Sequence, residues 1–517
     1  SEIEVTVSWD EGFPTQLSIE QNEAARSRIR SLVDNTEMIP VYEPLSKSSG
    51  DAEYLIVCDS SYKDTMQPLA DLQERHGRSV EIAAVQEIFE NFSGIDDAEK
   101  LRNFIRDRFQ EHGTVFVLLA GDETLVPVRI VELLCEELLP DYAPVDLYFA
   151  DLDGTWDGNG DGNYGQPDDD LDLYADVLLG RALFSTVREA SIFVQKNIAY
   201  QTSATPGDWP SRAVLCGAVL FEDVGHTGAR GCDSIAVTIP ASWEITKAYE
   251  VLHGDGIDTH IPIISSGTGW NYYAGHGNDR GIYWSSAPMG MMTNWIATDS
   301  LQNGNKTGVH ISIACHPAEY IDLECCAEAL LKAPDGGGVA VMFNTSYGWE
   351  GYYPSLGPSE WMCIDLSRQV FWEHSSSIGL AFSIAKDMRI PYMHGGYDRT
   401  FQSLLSWSAF MDPALKVRQS HGEGPIPPIP LTISPPYPNP AERDAPIAFH
   451  VDYTTGSAEV SVHDFAGRLI WETVIHSPQR VSWEGTDLDA RRVPAGVYII
   501  SVRKGNYFRN RLTTILN

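Results

Sequence analysis

Three short apolar runs in the middle of the chain constrain its fold more than any other feature. They are rich in β-branched and aromatic residues, and they cover residues 272–276, 310–315 and 338–343. The first run stops at His276 and the second at Cys315. Such runs are typical of strands buried on both faces of a parallel sheet. Because the carboxyl ends of parallel strands line one crevice, we expect His276 and Cys315 to be neighbours in space.

A cysteine and a histidine that converge in this way are the minimum for nucleophilic catalysis by a thiolate. Gly275 and Gly277 flank the histidine, and without a Cβ they let the backbone turn sharply. The amides of Gly277 and Cys315 are candidate donors to an oxyanion. A buried cysteine is common in protein cores and Gly-His-Gly occurs by chance. The position of both residues at strand ends favours a catalytic site over these alternatives.

Four segments together form a more specific pattern: Ala274-Gly275-His276-Gly277, Ala314-Cys315, residues 327–331 and residues 344–349. This pattern resembles the gingipain family of cysteine endopeptidases, which share the caspase-type fold. The resemblance covers roughly residues 50 to 418. It implies that Cys315 is the nucleophile and that His276 is the general base.

The resemblance also implies three further site residues. In the family, an acidic residue after the strand predicted over 213–218 orients the histidine; it corresponds to Glu222, with Asp223 as an alternative. An aspartate eleven positions later lines the primary specificity pocket, which corresponds to Asp233 and implies Arg or Lys before the scissile bond. Trp349 matches the aromatic residue that covers the bound side chain. Helix capping and core packing are the ordinary alternatives for these residues.

The sequence departs from the family pattern beside the nucleophile. His316 offers a rival base, although a residue adjacent along an extended chain normally points to the other face. Pro317 removes one backbone donor. Cys325 and Cys326 are rival thiols, but they lie in a helix-like run in which side chains usually serve packing.

Composition restricts the compartment in which the protein acts and the kinds of partner that it can bind. Lys and Arg total 36 against 72 Asp and Glu, which gives a net charge of −36. So acidic a chain argues against nucleic acid or an anionic membrane as partner and favours an extracellular setting. No apolar run reaches the roughly 18 residues that a transmembrane helix needs. The 8 cysteines show no zinc-site spacing, so we expect free, mostly buried thiols.

An Asp-rich loop predicts a structural calcium site. Residues 157–162 follow the D-x-[DN]-x-[DN]-G pattern of calcium loops, and an aspartate falls at the twelfth position. No helices flank the loop, so an EF-hand is not expected, and a merely solvated acidic loop is the alternative. The expected ligands are Asp157, Asn159, Asp161, Asn163 and Asp168, with Asp151 and Asp153 serving a second ion.

The order of predicted elements divides the chain into five parts. Residues 1–50 form an N-terminal extension or the remnant of a pro-segment, with Arg30 or Lys47 as candidate junctions. Alternating strands and helices predict a first α/β subdomain over 51–205, including a strand over 174–179, and a catalytic α/β subdomain over 206–420. A Pro-rich linker over 421–440 precedes short strands over 441–517 that suggest a β-sandwich.

The predicted fold class is therefore α/β: a caspase/gingipain-like unit of two subdomains with mostly parallel sheets, followed by a C-terminal all-β sandwich. The C-terminal motifs, such as Tyr437-Pro438-Asn439-Pro440 and Pro494-Ala495-Gly496, resemble immunoglobulin-like modules of exported bacterial proteins, some of which are type IX secretion sorting domains. The resemblance implies export and secretion machinery as a partner, and a stabilising spacer is the alternative.

Two functions from different classes follow. The first is a secreted cysteine endopeptidase acting on peptide or protein substrates, with no organic cofactor. The second is a calcium-stabilised, catalytically inactive binding or scaffold protein that keeps the peptidase fold.

Overall fold

The computed structural model describes Arg28 and residues 52–133, 140–169, 171–202, 205–221, 226–250, 260–285, 290–351, 356–393, 396, 398–418, 432–433, 436, 441, 445–452, 457–464, 468–477, 479–488, 490–504 and 507–516. The predictions for Glu222, Asp223 and the remainder of residues 1–50 lie outside these ranges. Of the predicted linker over 421–440, residues 432, 433 and 436 are described, and Thr432–Ile433 form a short strand. The chain divides into two compact units, residues 1–420 and 421–517.

The first unit holds seventeen strands among its described residues, and they are numbered in chain order. They are β1 (Tyr54–Cys58), β2 (Val80–Ala84), β3 (Phe116–Ala120), β4 (Ile130–Leu133), β5 (Asp141–Pro144), β6 (Leu178–Ala182), β7 (Arg212–Gly217), β8 (Val219–Phe221), β9 (His226–Thr227), β10 (Glu244–Tyr249), β11 (Trp270–Ala274), β12 (His276–Asn278), β13 (Gly281–Tyr283), β14 (Gly290–Thr293), β15 (Gly308–Ser312), β16 (Gly338–Asn344) and β17 (Trp407–Phe410).

The α-helices of this unit connect and cover the strands. They are α1 (Lys63–Arg75), α2 (Val85–Asn91), α3 (Asp97–His112), α4 (Val187–Gln201), α5 (Ala229–Ala236), α6 (His260–Ser266), α7 (Cys326–Lys332), α8 (Pro358–Phe371), α9 (Ile378–Asp387) and α10 (Arg399–Ser406). None of the helices in the described ranges combines the length and apolar character that a bilayer crossing requires.

The first half of the unit is built on a four-stranded parallel sheet in the order β2-β1-β3-β6. β1 and β3 are buried along their whole length, which explains their continuous apolar sequences. Local signals delimit the crossover helices. Asp96 caps α3 by accepting a hydrogen bond from the amide of Glu99, and Gly113 ends it in the left-handed conformation at a φ of 67°.

The second half is built on a six-stranded sheet in the order β10-β7-β11-β15-β16-β17. All neighbours are parallel except β17, which runs antiparallel to β16. β11 and β15 lie adjacent near the centre and pair in a register that sets Tyr273 opposite Ser312. His276 and Cys315 each follow three residues later, so the register brings both to the same edge of the sheet.

A buried carboxylate joins the two halves. Asp412, just beyond β17, accepts hydrogen bonds from the hydroxyl of Tyr54 at 2.8 Å and from the side-chain amides of Gln73 and Gln201 at 2.7 Å each. Asp412 is fully buried, and burial raises the pKa of its carboxyl group. These bonds satisfy the carboxylate and fix the sheets relative to each other.

The C-terminal unit is all-β in its described residues. Strands β18 (Thr432–Ile433), β19 (Ile447–Asp452) and β22 (Gln479–Trp483) form one sheet, and β20 (Ala458–Asp464), β21 (Leu469–Ile475), β23 (Gly496–Lys504) and β24 (Tyr507–Ile515) form another. All pairings are antiparallel. Buried residues of both sheets, among them Phe449, Trp483 and Ile500, share one core, as expected of a sandwich.

Candidate active site

The loop after β11 lies directly against the backbone of Cys315. A Cβ placed on Gly277 would come within 2.4 Å of the carbonyl oxygen of Cys315, 2.9 Å of the Cβ of Ala314 and 3.1 Å of the amide nitrogen of Cys315. Only glycine fits so close an approach. The structure therefore brings the segment that carries His276 against the segment that carries Cys315, as the two strand ends predict.

Cys315 differs from the other described cysteines in its exposure. Its side chain is partly exposed, whereas Cys58, Cys216, Cys232, Cys325, Cys326 and Cys363 are free and buried. Its Sγ atom donates to the carbonyl oxygen of Gly348 at 3.7 Å. Burial, together with the charges of Glu350 and Asp141, raises the pKa of the Cys315 thiol to about 11. The thiol is protonated at neutral pH and needs a base for reaction.

His276 is exposed, and one of its ring nitrogens is held by the backbone. Its Nε2 atom lies 2.9 Å from the carbonyl oxygen of Leu220, and its ring meets Phe221 edge-on at 5.9 Å between centroids. Since a carbonyl can only accept, Nε2 carries the proton and Nδ1 carries the lone pair. The Leu220 carbonyl thus fixes the tautomer; the orienting role that the family resemblance implies for Glu222 stays a prediction.

The amide of Cys315 is available to an oxyanion. In the described ranges its N–H makes no hydrogen bond, although its neighbours are bonded: Ala314 N–H to the hydroxyl of Ser312, and His316 N–H to the carbonyl of Ser346. A free amide next to a nucleophile is what stabilisation of a tetrahedral intermediate requires. The corresponding role of the Gly277 amide stays a prediction.

The rival base beside the nucleophile is bound elsewhere. His316 adopts a φ of 65°, and its Nδ1 atom lies 3.0 Å from a carboxylate oxygen of Glu319 and 3.8 Å from one of Asp141. Burial lowers the pKa of His316, but the hydrogen bond to Glu319 and the charge of Asp141 outweigh it, so the net shift is upward. An imidazole whose Nδ1 atom is already bound to a carboxylate is a poor general base.

The rival thiols are unsuited to nucleophilic attack. Cys325 and Cys326 are fully buried at the start of α7, and burial raises the pKa of both. Cys325 caps the helix through the amide of Glu328, and Cys326 donates to the carbonyl of Met292. Both side chains therefore serve structure.

Asp233, the predicted floor of the specificity pocket, is paired within the chain. It lies on α5, and its carboxylate accepts from the Nζ atom of Lys247 at 2.6 Å and from the hydroxyl of Tyr249 at 2.7 Å. Both partners come from β10, the neighbouring edge strand. A substrate cation must therefore compete with Lys247 for this carboxylate.

Trp349, which is predicted to cover the bound substrate side chain, is in contact with a cationic side chain of its own chain. Its indole is partly exposed, its Nε1 atom donates to Gln402 at 3.0 Å, and the guanidinium of Arg399 lies 4.7 Å from the ring centroid. The indole is thus fixed in an orientation that suits cation–π contact.

Glu350 is a site residue that the sequence did not reveal. It follows Trp349, it is partly buried, and its charge acts on both Cys315 and His276. Burial raises the pKa of this carboxyl group. The charges of His276 and Arg399 act in the opposite direction, although among the described residues no Lys or Arg lies within ion-pair distance of Glu350. Nothing in the sequence sets this glutamate apart from the other acidic residues.

The predicted calcium loop is arranged around its own hydrogen bonds. The amide of Asn163 donates to the side chain of Asp161 at 2.7 Å, the amide of Asp161 donates to Asn159 at 2.9 Å, and Asn159 donates to Asp168 at 3.3 Å. The amide of Gly162 donates to Asp157 at 3.3 Å. These are turn contacts of a loop that is mostly exposed.

Asp151 and Asp153, the residues predicted to serve a second ion, belong to an acidic cluster that is a better candidate for a cation site. Side-chain oxygens of Asp151, Asp153 and Asp172 lie within 4.8 Å of one another. Asp151 is 1% exposed, and neither of its carboxylate oxygens has a hydrogen-bond partner. Burial, and then the charges of Asp172 and Asp153, raise the pKa of Asp151 to about 8. Converging oxygens around an unpartnered buried carboxylate fit a hard cation such as calcium.

Two family profiles match the sequence. Residues 47–418 match Peptidase family C25, and residues 436–514 match the Secretion system C-terminal sorting domain. A comparison with curated proteins gave no match.

Solved structures share the fold. The complex of RgpB pro- and mature domains from Porphyromonas gingivalis has a TM-score of 0.56 at 16% identity over 90% of this chain and 100% of that chain. The Arg-specific cysteine proteinase gingipain R (RgpB) has a TM-score of 0.56 at 17% identity over 91% and 100%. A further protease has a TM-score of 0.54 at 13% identity over 90% and 98%. These matches confirm the predicted gingipain-like α/β fold.

Proposed function

The chain belongs to peptidase family C25, and on that premise we propose that it is a secreted cysteine endopeptidase in which Cys315 is the nucleophile and His276 is the general base. Its C-terminal sorting domain indicates secretion or attachment to the cell surface. The observation that supports the proposal is the contact of Gly277 with the backbone of Cys315, which brings the segment that carries His276 against the segment that carries Cys315.

The proposed reaction uses each group in the form that its surroundings favour. His276 takes the thiol proton on Nδ1 while Leu220 holds Nε2, and the thiolate of Cys315 attacks the scissile carbonyl. The developing oxyanion accepts from the amide of Cys315. The imidazolium then protonates the leaving amine, and water, activated by the same imidazole, releases the acyl group from sulfur.

We further propose a preference for Arg or Lys before the scissile bond. Three groups support this preference. Asp233 already binds the ammonium group of Lys247, and the ring of Trp349 carries a guanidinium on its face. Glu350 adds a carboxylate whose charge acts on the proposed nucleophile. A substrate cation would be bound by displacement of Lys247 from Asp233 or by attraction to Glu350.

A cleavage profile over a random peptide library tests both levels of the proposal. We expect internal bonds to be cut, with Arg and Lys enriched before the cut. Cleavage after other residues would leave the peptidase proposal standing and refute the basic preference. An intact library would refute the peptidase proposal and favour the inactive scaffold.

We also propose that calcium binds at Asp151, Asp153 and Asp172 and stabilises the catalytic unit. Calcium would supply only charge neutralisation and loop rigidity there. A ligand at one hundred times its Kd stabilises the folded state by about 2.7 kcal/mol. We therefore expect a chelator to lower the Tm of the native protein and calcium to restore it.

The matched variants separate this cluster from the predicted loop. Asp151→Asn should lose the calcium response of Tm, because it removes the buried ligand. Asp161→Asn, in the exposed loop, should keep that response. A native protein whose Tm ignores both chelator and added calcium would refute the site, and a response lost only in Asp161→Asn would move it to the loop.

A further inference from the structure

The peptide bond between Ala314 and Cys315 is held on its carbonyl side by a buried asparagine. Asn344 is the last residue of β16 and is fully buried, and its Nδ2 atom donates a hydrogen bond of 2.9 Å to the carbonyl oxygen of Ala314. Because β15 and β16 are parallel neighbours, their carboxyl ends meet at one edge of the sheet. The fold thus places Asn344 beside the segment that follows β15.

The side chain of Asn344 is itself held in one orientation. Since a carbonyl can only accept, the atom that faces Ala314 is the amide nitrogen, and Oδ1 accepts from the hydroxyl of Ser406 at 3.5 Å. Gly348 packs against the same amide, because a Cβ on this glycine would come within 2.7 Å of Nδ2. Only glycine leaves room for the amide at this place. Packing and hydrogen bonding therefore fix the donor that the Ala314 carbonyl receives.

The N–H of Cys315 lies on the other side of the same peptide. In a trans peptide the C=O and N–H bonds point in opposite directions, so a fixed carbonyl also fixes the direction of the N–H. Among the described residues this N–H has no hydrogen-bond partner, and a Cβ on Gly277 would stand 3.1 Å from its nitrogen. Donation by Asn344 polarises the peptide and makes the N–H a stronger donor.

The neighbouring N–H groups are already used. The amide of Ala314 donates to the hydroxyl of Ser312 at 2.9 Å, and the amide of His316 donates to the carbonyl oxygen of Ser346 at 2.8 Å. Ser346 and Asn344 belong to one segment at the end of β16. This segment therefore holds the backbone on both sides of Cys315 and leaves the amide of Cys315 open.

We propose that Asn344 is a positioning residue that aims the amide of Cys315 at the oxyanion of the tetrahedral intermediate. The inference rests on the proposed function, in which Cys315 is the nucleophile. Asn344 acts through the peptide that it holds and touches no substrate. Because negative charge appears on the scissile oxygen only when sulfur attacks, the contribution of Asn344 belongs to the transition state rather than to substrate binding.

Asn344→Leu in the full chain is the primary variant, because leucine has a similar branched shape and cannot donate a hydrogen bond. Three rates or affinities are measured. They are hydrolysis of a peptide selected from the cleavage library, inhibition by the aldehyde of that peptide, whose adduct with the thiol carries an oxygen at the oxyanion position, and alkylation of Cys315 by iodoacetamide, which forms no oxyanion. We expect kcat and the affinity for the aldehyde to fall about tenfold or more, while KM and the alkylation rate stay within about twofold.

Two further variants complete the test. Asn197→Leu is the matched control, since Asn197 is also fully buried but donates to the carbonyl of Phe193 within α4, and all three measurements should stay native. Ser406→Ala is a milder second variant, which removes the donor to Oδ1 of Asn344 and should lower kcat by a smaller factor without a change in the alkylation rate.

The outcomes separate this inference from the proposed function. An unaltered kcat in both Asn344→Leu and Ser406→Ala, with a native protein that cuts the peptide, would overturn the role of Asn344 alone. An alkylation rate that falls in step with kcat would also overturn it, because the substitution would then have damaged the nucleophile rather than the oxyanion site. A native protein that cuts no peptide would refute the peptidase itself, and the inference with it.

Discussion

Replacement of Cys315 by alanine is expected to abolish peptide cleavage, with a fall in kcat/KM of about 10⁴-fold or more. The thiol forms the covalent intermediate, and no other described group can replace it, because the remaining described cysteines are buried. The side chain is small and partly exposed, so its loss should leave Tm close to that of the native protein. Hydrolysis of library-derived peptides, followed over at least four decades of rate, measures the effect.

Cys326→Ala is the matched control for this variant. It removes a thiol at the start of α7 that is fully buried and donates to the carbonyl of Met292. We expect the control to retain kcat/KM within a few-fold and to lose some stability. Native turnover in Cys315→Ala, or loss of turnover only in Cys326→Ala, would assign the nucleophile elsewhere.

The fold could be predicted from the sequence because the central strands are short, continuous apolar runs. β7 lies within one residue of the predicted strand over 213–218, and β16 (Gly338–Asn344) contains the apolar run over 338–343. The prediction over 174–179 was displaced, since β6 spans Leu178–Ala182 and includes Arg181. A charged residue indicates a strand end, but here the guanidinium is buried against Asp146 and three backbone carbonyls. Only tertiary structure reveals such compensation.

The approach of the segments that carry His276 and Cys315, the proposed catalytic pair, could be predicted for the same reason, whereas their surroundings could not. His276 and Cys315 each end an apolar run, and the register of β11 and β15 brings both ends to the same edge of the sheet. Leu220 orients the imidazole through a carbonyl that every residue possesses, so no side-chain pattern points to it. The pairing of Asp233 with Lys247 depends on the packing of α5 against β10, which the sequence does not specify.

The cation cluster illustrates a similar limit. The regular spacing over 157–168 predicts ligands in a loop that is mostly exposed and arranged around its own turns, and the sequence also assigns Asp151 and Asp153 to a second ion. Asp151 is the buried carboxylate without a hydrogen-bond partner, and Asp172, which lies beyond the loop, is the member of its cluster that the sequence did not reveal. Burial, rather than spacing, distinguishes the two, and burial is a property of the fold.

Loss of His276 should have the second largest effect, a fall in kcat/KM of about 10² to 10⁴-fold. Since burial raises the pKa of the Cys315 thiol to about 11, very little thiolate exists at neutral pH unless the imidazole removes the proton. His316→Ala is the matched control, because His316 is adjacent to the nucleophile but is paired with Glu319. Its substitution should change kcat/KM by only a few-fold.

The most direct test of cooperation between the thiol and the imidazole is the rate at which a peptidyl chloromethyl ketone alkylates Cys315 at neutral pH. This rate is compared among the native protein, His276→Ala and His316→Ala. Mass spectrometry of the adduct identifies the modified residue and needs no turnover. We predict a single adduct on Cys315, formed at nearly equal rates in the native protein and His316→Ala and about 100-fold or more slowly in His276→Ala. Equal rates in all three proteins, or an adduct on another cysteine, would contradict the convergence of His276 and Cys315 into one catalytic site.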